Sequence, residues 1–141
     1  MTADAAVLVD AASRWALESR VAPSPFVRHL DVARAAHAAL WRSGIGCDIV
    51  PPGADLSRYR LVVVPAVYLL SDEAAASLRG YATGGGHLVV TFLSGVADPW
   101  HRARPVLAVR VQPRHRPGDL AGLRPRPDHR PRDRRFPGPA A

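Results

Sequence analysis

Two apolar runs separated by one helical pattern constrain this chain more than anything else in it. Leu61 to Ala66 (LVVVPA) and His87 to Leu93 (HLVVTFL) are near-continuous hydrophobic strands of the kind buried on both faces of a covered sheet. Between them Ser71 supplies an N-cap, and Asp72 and Glu73 place negative charge on a first helical turn. Leu78 and Tyr81 fall on one face of that helix, which runs to about Thr83 before Gly84, Gly85 and Gly86 stop it. A helix joining two buried strands makes them parallel neighbours, and the crossover is expected to be right-handed.

The rest of the chain extends this unit. Ala5 to Val9 predicts a first parallel strand ending at Asp10, followed by a long loop over residues 11–23 that carries Trp15 and Glu18. Ser24-Pro25 reads as the start of a helix, with Phe26, Leu30, Ala33, His37, Leu40 and Trp41 along one side until Gly44 ends it. Trp41 on that apolar side predicts core packing. Cys47 to Val50 reads as a strand closed by Pro51-Pro52-Gly53, and residues 55–60 form a connector. The order β-α-β-β-α-β indicates a three-layer, flavodoxin-like α/β domain with a mostly parallel sheet, spanning residues 1–98 and incomplete at its C-terminal end.

Charge divides the 141 residues unevenly. Residues 1–100 hold 8 Arg and 9 acids, whereas residues 101–141 hold 11 Arg, 3 acids and 8 of the 14 prolines. The basicity therefore belongs to residues 99–141, which read as a disordered Arg/Pro-rich tail, because such sequence buries too little apolar surface to offset chain entropy. An Arg-rich arm of this kind suggests nucleic-acid binding as the alternative function, but only Phe136 accompanies the arginines as a stacking group, and that partner is not expected. One cysteine, no leader and no apolar run long enough to span a bilayer predict a cytoplasmic protein that does not enter the membrane.

Catalytic constellations are conspicuously thin. Doubly wound domains place their sites at strand carboxyl ends, here Asp10, Pro51, Ala66 and Ser94. An amidotransferase-like enzyme would need a cysteine on the sharp turn after HLVVTFL, and Leu93 stands there, while Cys47 reads as a small buried hydrophobe. Ser94 lacks a G-x-S-x-G frame, and the three glycines follow a helix where a phosphate loop would precede one. The six histidines show no metal spacing, and Asp10 with Glu18 makes no paired-carboxylate motif, so neither a metal nor another cofactor is expected.

The run from Leu30 to Asp98 resembles the trimerisation domain of glycoside hydrolase family 42 β-galactosidases. The resemblance is carried by the helix end ALWRSG (residues 39–44), the strand end DIVPP (48–52), the connector DLSRY (55–59), the strand VVPAVYLL (63–70) and the strand GGHLVVTFLSG (85–95). VLVDAASRWALES is similar to the domain's opening segment, although Ala11 and Ala12 replace an aromatic and an acid. The resemblance implies a class I glutamine amidotransferase-like fold and a non-catalytic oligomerisation role. The catalytic glutamates of such enzymes would lie on a (β/α)8 barrel with no counterpart in this sequence, so no catalytic residue is carried over. It further implies self-association as a trimer, or association with a separately encoded barrel, and hydrolysis of terminal β-galactosides by the whole enzyme. Asp10, Trp15, Glu18, Tyr68 and Ser94 are the candidate interface or substrate-proximal residues, with Trp41 and Tyr59 as further aromatic packing groups. From Pro99 onward the sequence departs from the family pattern and reads as a shift of reading frame.

Overall fold

The computed structural model describes residues 3–20 and 22–104. Four parallel strands form one sheet: β1 (Ala5–Leu8), β2 (Cys47–Val50), β3 (Leu61–Val64) and β4 (His87–Val90), in the order β2-β1-β3-β4. Three helices cover it: α1 (Ala11–Glu18), α2 (His29–Arg42) and α3 (Asp72–Thr83). The Arg/Pro-rich residues read as a tail lie, from residue 105 onward, outside the described residues.

Alternation along β1 and β3 splits the core into two layers. Ala6, Leu8, Val62 and Val64 point to the α3 side, where they meet Ala74, Ala75 and Leu78 together with Leu56 and Tyr59 of the connector. Ala5, Val7, Leu61 and Val63 point the other way, onto Ala33 and Leu40 of α2. Each fully buried Val or Leu contributes on the order of 1.5–3 kcal/mol of transfer free energy, so these two layers dominate the stability of the domain. From the central pair the chain moves outward to β2 with α2 on one face, and outward to β4 with α3 on the opposite face. Opposite direction and opposite face together give both crossovers the same hand, which is the doubly wound arrangement.

Three local expectations are corrected. The segment after Asp10 is a helix and not a loop, because the Asp10 carboxylate accepts the Ser13 N–H at 2.7 Å and Ala11-Ala12 then costs the helix nothing in side-chain entropy. The second helix begins at His29 and not at Ser24-Pro25: the Ser24 hydroxyl accepts the Phe26 N–H in a local turn, and the Phe26 side chain is 91% exposed. Trp41 is not a core residue. Ala33 and Leu40, two turns apart, take the inward positions of α2, and Trp41 lies about 100° further round the helix, 57% exposed and stacked on His37 at 6.5 Å.

The last strand also stops earlier than its composition suggests. β4 ends at Val90, and residues 92–95 form a turn that delivers Ala97 alongside Leu69 and then into a short antiparallel return at Ala103. Asp98 closes that return by accepting the N–H groups of Trp100 and Arg102 and the Arg102 guanidinium. Arg104 fastens it to α3, with Nη1 on the Asp72 carboxylate at 2.6 Å and Nη2 on the Leu70 carbonyl at 2.7 Å.

Candidate functional site at the carboxyl edge of the sheet

β1 leads toward one edge of the sheet and β3 toward the other, so the loops leaving these neighbours part and open a crevice between them. Asp10 stands on one side as the cap of α1. His29, fully buried at the head of α2, ties both sides together: its Nε2 accepts the Asp10 N–H at 2.9 Å, and its Nδ1 lies 2.8 Å from the Pro65 carbonyl. A carbonyl can only accept, so the proton sits on Nδ1 and the tautomer is fixed by the two partners. Ser13 adds a second tie, since its buried hydroxyl donates to the Leu69 carbonyl and accepts the Leu69 N–H at 3.0 Å.

The end of β3 is closed against the turn after β4 in the same way. Thr91 Oγ1 accepts the Ala66 N–H at 2.8 Å, Ser94 Oγ donates to the Val64 carbonyl at 3.0 Å, and the Gly95 N–H donates to the Val67 carbonyl at 2.8 Å. Ala66 (φ 47°) and Leu93 (φ 59°) hold left-handed backbone, which costs a residue with a Cβ roughly 1–2 kcal/mol. Leu93 thus occupies a strained turn at a strand end, the geometry in which a nucleophile would be presented, and presents an alkyl group. Ser94 beside it is buried and committed to the backbone. Cys47 lies at the opposite, amino edge of the sheet, and burial, followed by the neighbouring Asp48 carboxylate, pushes its thiol above the ordinary range. The thiolate a nucleophile requires is thereby disfavoured.

The residues singled out from the sequence are not gathered into one cluster. Trp15 and Glu18, three apart, share the exposed outer side of α1. Tyr68 is half-buried against Ala16, Leu69 and Ala97. Tyr59 is buried, its hydroxyl donating to Asp48 at 2.9 Å and its carbonyl accepting the Tyr81 hydroxyl at 3.0 Å, so it anchors the connector. Asp10 and Ser94 both stand at the carboxyl edge, Asp10 as a cap and Ser94 as a staple. Sequence reasoning missed Ser13 and His29, whose partners are 56 and 19–36 residues away.

A cleft of about 330 Å³ remains between these ties, lined by Asp10, Ser71, Glu73 and Ser77 as polar groups and by Leu69 and Pro52 among the apolar ones. Among the described residues its lining has carboxylates and hydroxyls and no basic side chain. Among the described residues no group of three or more His, Cys, Asp or Glu side chains is placed to hold a metal ion. No helix among them is long and apolar enough to cross a membrane.

Residues 3–106 match the family described as the β-galactosidase trimerisation domain. The chain is 42% identical over 94 residues to a β-galactosidase of Arthrobacter sp, covering 67% of this chain and 14% of that one, and 38% identical over 97 residues to a β-galactosidase of Alicyclobacillus acidocaldarius, covering 68% and 14%. Among solved structures it is similar to the β-galactosidase of Bifidobacterium adolescentis, with a TM-score of 0.69 at 34% identity over 73% of this chain and 47% of that one. The β-galactosidase of the haloarchaeon Halorubrum lacusprofundi gives 0.68 at 36% identity over 75% and 16%. The chain therefore spans 14% of the length of the curated relatives it matches first. The Arg-rich arm lies outside the described residues, and none of these relatives supports a nucleic-acid partner. A parallel four-stranded sheet wound on both faces, together with the family match over residues 3–106 and this set of relatives, identifies the chain as a member of the trimerisation-domain family of glycoside hydrolase family 42 β-galactosidases.

Proposed function

We propose that the chain acts by association and not by catalysis: it supplies a subunit interface that builds a trimeric family 42 β-galactosidase, either through its own copies or by joining a separately encoded barrel. The observation that carries this reading is the match to the trimerisation-domain family across residues 3–106, in a fold whose strand-end turn holds Leu93 where chemistry would need a nucleophile. The exposed aromatic residues Trp15 and Trp41 on α1 and α2 supply large contact area with few rotatable bonds, the composition enriched at interface centres. The terminal β-galactoside is then the substrate of the assembly, bound by residues outside this chain. A cytoplasmic location fits the single unpaired Cys47.

Sedimentation equilibrium of the 141-residue chain, alone and mixed with a family 42 barrel, tests the proposal. A trimer in either sample is expected, with galactosidase activity only where the barrel is present. A strict monomer in both, or β-galactoside hydrolysis by the chain alone, would overturn it.

A further inference from the structure

We propose that the cleft between the β1 and β3 ends binds a small neutral polyol the size of one sugar ring. Its volume of about 330 Å³ equals about eleven water molecules at ~30 Å³ each, enough for a single pyranose with water beside it and too little to enclose a longer oligomer fully. Its position is the topological switch point of a doubly wound sheet, where such folds seat their ligands. This inference is independent of the association reading and concerns a separate site.

The lining selects the chemistry. Among the described residues no basic side chain lines the cleft, and the N-termini of α1 and α3 beside it already have their own caps, which disfavours anions there: Asp10 accepts the Ser13 N–H at 2.7 Å, and Ser71 accepts the Ala74 N–H at 3.1 Å. Cations are weakly favoured at best. Asp10 caps α1 and Glu73 sits in the first turn of α3, so each carboxylate lies against a helix N-terminus carrying about half a positive charge that offsets it. What remains is hydrogen-bonding capacity without strong net field. Asp10 spends only Oδ2 on its cap, Ser71 keeps a hydroxyl proton to give, and Glu73 and Ser77 face the cleft from successive turns of α3. Carboxylates that accept hydroxyl protons, hydroxyls that can do either, and apolar walls at Leu69 and Pro52 against the C–H faces are the complement of a polyol.

The test is heteronuclear NMR titration of the full-length chain with D-galactose and sorbitol as polyols, spermidine as the cation and inorganic phosphate as the anion. Saturable shifts at Asp10, Ser71 and Ser77 are expected with millimolar galactose. Ser77→Leu should weaken them more than about tenfold by filling the cleft, and Glu73→Ala by about tenfold through a lost charge-assisted hydrogen bond. Both positions lie on exposed parts of α3; far-UV circular dichroism checks each variant, and if Ser77→Leu fails to fold, Glu73→Ala alone decides. No response to either polyol up to about 100 mM, an unchanged response in the folded variants, or saturation by spermidine or phosphate alone would overturn the proposal.

Discussion

β3 and β4 are neighbouring strands of almost the same sequence, Leu-Val-Val-Val and His-Leu-Val-Val, paired in register from Leu61 with His87 to Val64 with Val90. Their environments differ completely. All four residues of β3 are buried, with Val62 and Val64 at 0% exposure, whereas Val89 and Val90 on β4 are 48% and 37% exposed. β3 lies between two strands and under two helical layers, while β4 has no strand on its outer side among the described residues and no helix over its α2 face. Composition states how much burial a strand can use, and topology decides how much it receives.

The sharpest way to break the covered side is at its polar staple. His29→Ala leaves the Asp10 N–H and the Pro65 carbonyl without partners beside a cavity, and is expected to cost about 3–5 kcal/mol in urea unfolding, with hydrogen exchange rising first at α1 and α2. The paired strands can be compared directly by the same substitution at partnered positions. Val64→Thr buries a hydroxyl and should cost about 1–3 kcal/mol, whereas Val90→Thr, across the ladder from it, should stay within about 0.5 kcal/mol. Equal costs at the two positions would mean that β4 is covered in solution.

One point on the open side should behave as though it were covered. A Cβ at Gly86 would lie 2.2–2.5 Å from the Tyr81 ring, so Gly86→Ala should cost toward the low end of ~1–3 kcal/mol, and Gly86→Ala combined with Tyr81→Ala should show a favourable coupling energy. The smallest expected effect concerns the return at residues 97–103. Burial opposes ionisation of Asp98, but hydrogen bonds from the Arg102 N–H and guanidinium, with that cation's charge, hold its carboxyl below the ordinary range. A depressed folded pKa gives stability that is complete above the unfolded value of about 3.9 and is lost as pH falls through the folded value. Amide protection at Arg102 should therefore decline below about pH 4, with Asp98→Asn insensitive over the same range.

The parallel sheet and its two-faced winding were legible because they rest on local patterns: apolar runs, the Ser71 cap and the glycine stop. The carboxyl-edge arrangement was only half legible. Asp10 was recognised as a strand-end acid, but its role as a cap depends on Ser13 coming three residues later, and the helix it starts has no acid in its first turn to advertise it. Ser24-Pro25 carried the stronger start signal and lost to His29, because two hydrogen bonds from the buried imidazole to other segments fix where α2 begins. Trp41 shows the complementary limit: apolarity placed it inside, and rotation about the helix axis placed it outside.

The imidazole at position 29 also bears on the order of folding events. Its partners belong to the first crossover on one side and the end of β3 on the other, so its two bonds form only after the halves of the sheet have met. If those bonds are absent from the folding transition state, His29→Ala accelerates unfolding and leaves the folding rate nearly unchanged, which the two arms of a chevron plot would separate. A single buried side chain would then set how long the assembled fold persists and have little influence on how quickly it is reached.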